Sequence, residues 1–319
     1  GVCLNEGCIP TKTLLYSAKT YDSAKHASKY AINVSEVSFD LSKIIVRKSK
    51  VVRKLVLGVK AKLASNNVAI VSGEAQIIDK NTVRCGEETY EGENLILCTG
   101  SETFIPPIPG VETVNYWTHR DALDNKELPA SLAIVGGGVI GMEFASFFNS
   151  LGVQVTVVEM LDEILGGMDK ELSALLRAEY AKRGIKFLLS TKVVGLSQTE
   201  GAAVVSYENA EGSGSVVAEK LLMSVGRRPV TKGFGLENLN LEKTERGAVK
   251  VDEKMQTSVP GVYVCGDLTG FSLLAHTAVR EAEVAVHSIL GKEDTMSYRA
   301  IPGVVYTNPE IAGVGETEE

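Results

Sequence analysis

Apolar residues recur at helical spacing from Thr11 to Lys29, directly behind Pro10. Proline suits a first helical turn, where its missing N–H would have no intrahelical acceptor. A second helix is predicted between Leu41 and Ser65. Beyond it the period changes. The runs VAIVSG, AQIID, NTVRC and NLILCTG are short, rich in β-branched residues and separated by Gly, Asn and Asp, which predicts a small antiparallel unit feeding a buried strand. The segment FIPPIPG, with three prolines and a glycine in seven residues, suits neither a central strand nor a helix interior and marks a domain boundary.

From Ser131 the pattern reads as a βαβ unit: strand LAIV, a glycine turn, a helix from Val139 to Leu151 and the strand VQVTVVE. A helix from Lys170 to Arg183 and a strand from Ile185 to Leu189 continue the alternation. The runs KVVGLS, AAVVSY and SVVAEKLLMSVG then read as strands with polar, Gly-rich turns. A third region opens near Arg227, with the apolar strand VYVCGD and a helix from about Leu274 to Leu290, and from Tyr298 a further domain is expected to begin. There is no internal repeat.

Composition narrows the class. At 319 residues and 44% hydrophobic, the chain can bury a large core divided over two or three domains. A net charge of −7 argues against nucleic acid as a partner. The one basic cluster, Arg47 to Lys62, falls in the second predicted helix and reads as its solvated face. With no membrane-length apolar run and no secretory signal, a cytoplasmic protein without membrane contact is expected. The five cysteines, Cys3, Cys8, Cys85, Cys98 and Cys265, fit neither a secreted disulfide framework nor a zinc pattern. Cys98 and Cys265 each end an apolar run and read as small buried hydrophobes, while Cys85 reads as a turn residue.

Three segments carry chemistry. Gly136-Gly137-Gly138-Val139-Ile140-Gly141 matches GxGxxG between a strand and a helix, where the backbone must turn tightly and approach a pyrophosphate at a helix N-terminus. Glu159 closes the next strand 23 residues after Gly136, placed to accept hydrogen bonds from the adenosine ribose and to repel a 2′-phosphate, so NAD(H) is expected over NADP(H). In the second segment Cys3 and Cys8 lie five apart at the start of a predicted helix. Ideal helical geometry separates such Cα atoms by roughly 8 to 9 Å, beyond the ~7 Å reach of a disulfide, so the pair can bond only where Gly7 and Pro10 distort the turn. A redox pair and two unrelated thiols both remain open at this point. The third segment, Val262 to Asp267, is a strand ending in Gly-Asp, where the carboxylate suits either a polyol hydroxyl or a local turn.

Together with LILCTGS, GGGVIGME, SVGRRP, LLAH and VVYTNPEIAGVGETEE in matching order, the segment GVCLNEGCIPTK resembles the pyridine nucleotide-disulfide oxidoreductases, class I, along essentially the whole chain. The Leu after Cys3, the Ile before Pro10 and the acidic Glu159 point to the NAD-dependent branch that oxidises dihydrolipoamide. The resemblance implies an α/β fold of two doubly wound Rossmann-like dinucleotide-binding domains, one for FAD and one for NAD, with three-stranded antiparallel insertions and the start of an α+β interface domain. The expected limits are 1–110 and 236–297 for the flavin domain, 111–235 for the NAD domain and 298–319 for the interface domain.

Catalysis is then expected from Cys3 as the interchange thiol, Cys8 as the thiol facing the flavin, and Lys12 near the flavin, paired with Glu143. FAD is expected at Ala75, Thr99, Gly100, Ser101 and Asp267, and at Leu273, Leu274, Ala275 and His276. NAD is expected at Gly136, Gly137, Gly138, Val139, Ile140, Gly141, Met142 and Glu143, and at Glu159, Val193 and Gly226. The implied partner is lipoamide on the lipoyl domain of a 2-oxo acid dehydrogenase or glycine cleavage complex, with a homodimer at full length. The family's flavin GxGxxG and its C-terminal interface domain are expected outside these residues, so this stretch alone is expected to bind NAD while catalysing poorly. Another disulfide or a metal substrate is the alternative within the family.

Overall fold

The computed structural model describes residues 1–318 and divides into two compact units. The first comprises Gly1–Gly58, Phe104–Gly226 and Pro302–Glu319; the second comprises Val59–Thr103 and Arg227–Ile301.

The first unit is built on a five-stranded parallel sheet in the order Tyr116–Trp117, Lys220–Met223, Ser131–Val135, Gln154–Val158, Lys186–Leu188. Its helices are α1 (Val2–Glu6), α2 (Cys8–Lys25), the part of α3 (Leu41–Ser65) up to Gly58, α4 (His119–Asp124), α5 (Val139–Ser150) and α6 (Lys170–Lys182). On one face of the sheet Leu132 and Ile134 pack with α5 and α2. On the other, Ala133, Val135, Leu221 and Met223 meet Leu196, Ala203 and Val205 of a three-stranded antiparallel sheet. Helix α5 is apolar nearly all round because it is enclosed: Phe144, Phe147 and Phe148 are each at most 2% exposed. Each such ring stabilises by about 1.5–3 kcal/mol through burial.

The chain order of this sheet places the glycine turn at a crevice. From the central strand Ser131–Val135 the chain steps outward twice to one side, then returns on the other with Lys220–Met223. That reversal leaves a crevice at the carboxyl ends of the two middle strands, the switch point where ligands of doubly wound sheets gather. Gly136 and Ser224 stand there, one on each strand end.

The second unit holds the antiparallel sheet Ala75–Asp79, Thr82–Cys85, Glu88–Glu91, the parallel pair Leu95–Leu97 and Val262–Val264, the antiparallel pair Ser101–Thr103 and Arg227–Pro229, and α7 (Ala275–Ile289). Leu97, Val262 and Val264 face one apolar cluster; Ile96, Tyr263 and Cys265 face another, completed by Val284 and Ala285 of α7. No helix among the described residues is long and apolar enough to cross a membrane.

Several expectations need correction. VAIVSG is not a strand: it runs as irregular backbone, with Val68, Ile70 and Val71 exposed, and the antiparallel sheet starts only at Ala75. The run SVVAEKLLMSVG divides at Glu219 into two strands that belong to different sheets. Cys85 is the last residue of a strand, paired with Ala75 and Glu88, rather than a turn residue. Lys48 departs from the solvated face assigned to its cluster; it is 5% exposed, and its ammonium donates to the Leu123 carbonyl at 2.9 Å and to Asp124. Cys98 is exposed and not buried.

Candidate functional site

In the first unit the cysteine segment is helical but broken. α1 ends at Glu6 and α2 begins at Cys8, with Gly7 between them outside helical geometry (φ −135°, ψ −112°). A Cβ on Gly7 would lie 2.9 Å from the Val2 carbonyl oxygen and 3.0 Å from the Cys3 Cα, so only glycine allows the two helix ends to fold this closely. The Cα atoms of Cys3 and Cys8 come within 4.6 Å, and the two are joined by a disulfide. Of the two readings left open by the spacing, the bonded pair is the one the backbone makes. Arg120 of α4 clamps Glu6 of α1 bidentately, at 2.7 and 2.6 Å.

Lys12 lies one turn beyond Cys8 on α2. Its ammonium donates to Glu143 Oε2 at 2.7 Å and stands 5.0 Å from the centre of the Tyr306 ring. Glu143 is a carboxylate on the enclosed helix α5, its side chain 3% exposed against 30% for Lys12. Its second oxygen accepts the Tyr306 backbone N–H at 3.0 Å. Both carboxylate oxygens are thus engaged, which is the condition for keeping an ion this deep.

The glycine turn follows Val135. Gly136 has φ +105°, and a Cβ there would lie 2.5 Å from the Ser224 carbonyl oxygen. A Cβ on Gly141 would sit on the Gly136 carbonyl oxygen, so this glycine permits the close helix–strand packing. The Ser224 hydroxyl donates to the Gly136 carbonyl at 2.9 Å. Gly138 caps α5 without contributing a side-chain acceptor, the first turn has no acidic residue, and a Cβ on Gly138 would meet nothing within 4 Å. The opening helix N–H groups and the bare backbone fit a pyrophosphate. Glu159 Oε2 accepts from Gly137 N–H at 2.6 Å and Oε1 from Leu161 N–H at 2.8 Å. A carboxylate has about four acceptor positions, so two remain for ribose hydroxyls. Val139 is 39% exposed at this turn, Ile140 is half-buried, and Met142 lies wholly in the core. Gly226, two residues beyond Ser224, has φ +121° with open space at its Cβ position; Val193 sits at a register shift in its strand, half-buried against the antiparallel sheet's core.

In the second unit the strand ends bring Ser101 to Asp267. The Ser101 hydroxyl donates to Asp267 Oδ2 at 2.5 Å and accepts from Arg227 Nε at 2.7 Å, while Arg227 Nη2 donates to the Ser101 carbonyl. Gly100 has φ +71°, and the Thr99 hydroxyl donates to the Val230 carbonyl at 3.0 Å. Asp267 has a second oxygen that no described residue occupies, which fits a polyol hydroxyl. Leu273, Leu274, Ala275 and His276 are exposed where α7 begins without a side-chain cap, and Ala75 is exposed at the first position of its strand.

Glu281 of α7 holds the Asp267 turn from behind. It is fully buried; Oε2 accepts the Gly266 N–H at 2.5 Å and Oε1 accepts the Tyr298 hydroxyl at 2.7 Å, with the Thr269 hydroxyl at 3.4 Å. Burial raises its carboxyl above the usual range, opposed in part by those donors, and burial together with Glu281 raises the Tyr298 hydroxyl. Sequence reasoning missed Glu281, Arg227, Ser224 and Tyr306. A signal existed for Glu281, a carboxylate four residues from Thr277 and Ala285 on the apolar face of α7; Ser224 acts through its hydroxyl on a backbone carbonyl and Tyr306 through its backbone N–H, contacts that carry no pattern in sequence.

Comparison with known proteins places these sites in a family. Residues 1–282 match the model of the pyridine nucleotide-disulphide oxidoreductases. The chain is 37% identical over 324 residues to a dihydrolipoyl dehydrogenase of Geobacillus stearothermophilus, covering 100% of this chain and 68% of that one. It is 40% identical to a dihydrolipoyl dehydrogenase of Thermus scotoductus, covering 100% and 69%. Among solved structures, LpdA from Mycobacterium tuberculosis superposes with a TM-score of 0.90 at 26% identity, covering 99% of this chain and 70% of that one. The flavoprotein disulfide reductase RclA from Escherichia coli superposes with a TM-score of 0.86 at 29% identity, covering 100% and 69%.

Proposed function

Because this chain belongs to the pyridine nucleotide-disulphide oxidoreductases, we propose that it is a dihydrolipoyl dehydrogenase, oxidising dihydrolipoamide to lipoamide with NAD+ by means of a Cys3–Cys8 redox disulfide and FAD. The observation that carries this reading is the disulfide itself, closed across Gly7 with Cys8 as the first residue of an 18-residue helix.

A lipoyl thiolate attacks Cys3 Sγ, a sulfur–sulfur bond forms between them, and the Cys3–Cys8 bond breaks with Cys8 leaving as the thiolate. The second lipoyl thiol then displaces Cys3, so lipoamide is released, and two thiols and two electrons remain on the protein. Direction of attack follows from the helix: positive dipole charge at the start of α2 stabilises a Cys8 thiolate, and the better-stabilised thiolate leaves faster. Lys12, held by Glu143 and Tyr306, sets a fixed positive charge one turn from Cys8. Thr99, Gly100, Ser101 and Asp267 would hold FAD with Leu273 to His276, and Gly136 to Gly141 with Glu159 would hold NAD. Bound flavin supplies the conversion between dithiol and hydride chemistry.

The assigned limits follow: 111–235 binds NAD, 1–110 and 236–297 serve the flavin, and 298–319 begins an interface domain. A cytoplasmic location, a two-fold dimer and a lipoyl domain of a 2-oxo acid dehydrogenase complex as partner belong to the same proposal. Addition of one equivalent of dihydrolipoamide, followed by alkylation and mass mapping of Gly1–Lys12, should show both cysteines alkylated. A disulfide that stays closed in excess dihydrolipoamide would overturn the reading.

A further inference from the structure

Cys98 and Cys265 form a second pair of thiols. The strands Leu95–Leu97 and Val262–Val264 run parallel with Ile96 opposite Tyr263 and Leu97 opposite Val264, and the Cys265 N–H continues the ladder by donating to the Leu97 carbonyl at 3.1 Å. Cys98 and Cys265 are therefore the next opposed positions. Because strand side chains alternate, they share the face of Ile96 and Tyr263, beneath α7. Neighbouring strands lie about 4.7–4.9 Å apart, within the span of Cα atoms that a disulfide bridges. Both residues stand just past the regular strands, where the chain can adjust. Cys98 is exposed and Cys265 is 3% exposed. Each thiol acts on its neighbour, lowering Cys98 and raising Cys265, with burial adding to the latter, so the more exposed thiol is also the one that ionises first.

We propose that Cys98 and Cys265 are an oxidisable dithiol that hydroperoxides convert to a disulfide, with Cys98 as the attacking thiol and Cys265 as the resolving one. The Cys98 thiolate attacks the terminal peroxide oxygen; the O–O bond breaks, the alcohol or water leaves with one proton, and Cys98 becomes a sulfenic acid. The Cys265 sulfur attacks that sulfur, the S–S bond forms, and the sulfenic hydroxyl leaves as water with the Cys265 proton. Two thiols and one hydroperoxide thus give one disulfide, one alcohol or water and one further water, the peroxide taking up the two electrons. Cys98 directly precedes Thr99 to Ser101 and Cys265 directly precedes Gly266 and Asp267, so, granted the flavin assignment above, the bond ties together the two segments that hold the cofactor.

The test exposes purified protein to a small excess of hydrogen peroxide, alkylates free thiols and maps the cysteines by mass spectrometry. Trypsin combined with a glutamate-specific protease separates Cys85 from Cys98. A crosslinked Cys98–Cys265 peptide should replace both alkylated peptides and disappear on reduction. In Cys265→Ser, Cys98 should instead accumulate as a sulfenic acid trapped by dimedone. Recovery of both wild-type peptides alkylated after peroxide, or conversion of Cys98 to sulfinic acid without any crosslink, would overturn the proposal. Cys3 and Cys8 fall on other peptides of this digest, ending at Glu6 and Lys12, and the dihydrolipoamide reading is tested by dihydrolipoamide in a separate sample, so the failure of one reading is distinguishable from the failure of the other.

Discussion

The Lys12–Glu143 pair should respond asymmetrically to removal of its two partners. Replacing Lys12 by Met strands a carboxylate whose side chain is 3% exposed, with only the Tyr306 N–H left to it. Breaking a buried pair in this way costs about 3–5 kcal/mol. Glu143→Gln leaves the cation instead, on a side chain that is 30% exposed and can reach water, and its amide oxygen still accepts from Tyr306. The loss there is that of one charge-assisted hydrogen bond, about 1.5–3 kcal/mol. Lys12→Met combined with Glu143→Gln removes both charges while keeping the Tyr306 acceptor, so it should recover part of the Lys12→Met loss, with a coupling of about 2 kcal/mol in the double-mutant cycle. The chain has one tryptophan, Trp117, in the parallel sheet of the same unit and packed on Phe148 at 6.0 Å between ring centres. Urea unfolding followed by its fluorescence therefore reads the correct unit without assuming that the whole chain unfolds in one step. If Glu143→Gln destabilised as much as Lys12→Met, or the two losses simply added, the argument from unequal burial would be wrong.

Further outcomes follow from the same geometry. Glu159→Arg should shift affinity from NADH toward NADPH by at least tenfold, measured by fluorescence titration; equal wild-type affinity for the two nucleotides would remove Glu159 from the ribose site. Gly141→Ala should abolish nucleotide binding, because its Cβ would occupy the Gly136 carbonyl position, whereas Gly138→Ala, which meets open space in the protein, should weaken binding without unfolding; circular dichroism with NADH titration checks both. Glu281 has a folded pKa raised above 4.5, so the native state binds the extra proton and its stabilising contribution, full below pH 4.5, falls as pH rises through the folded value. The stability of wild type relative to Glu281→Gln should therefore be greatest in acid and shrink toward neutrality in urea midpoints; a difference that grows with pH would contradict the burial argument, in which Asp267 also faces the carboxylate.

The elements that need only local information were legible in the chain. The helix from Leu41 to Ser65, the βαβ unit with its glycine turn and the strand before Gly266 are set by period, β-branching and the steric needs of glycine, all of which are properties of neighbours in sequence. The need for a distorted turn between Cys3 and Cys8 was likewise legible, from helix geometry alone. Tertiary structure decided which side chains meet. VAIVSG has the composition of a strand and stays irregular, because a strand also needs a partner for its backbone. Lys48 lies in a basic run but is buried, since the Leu123 carbonyl and Asp124, 75 and 76 residues away, receive its ammonium. Cys98 and Cys265 look like two isolated apolar positions until the parallel register sets them side by side. The glycine turn becomes a site only through the return of Lys220–Met223 beside Ser131–Val135, which brings Ser224 onto the Gly136 carbonyl. Period and propensity act over a few residues, whereas pairing across a sheet joins residues separated by 88 positions at the glycine turn and by more than a hundred at the Cys98 strand, and the chemistry of this chain lies at those junctions.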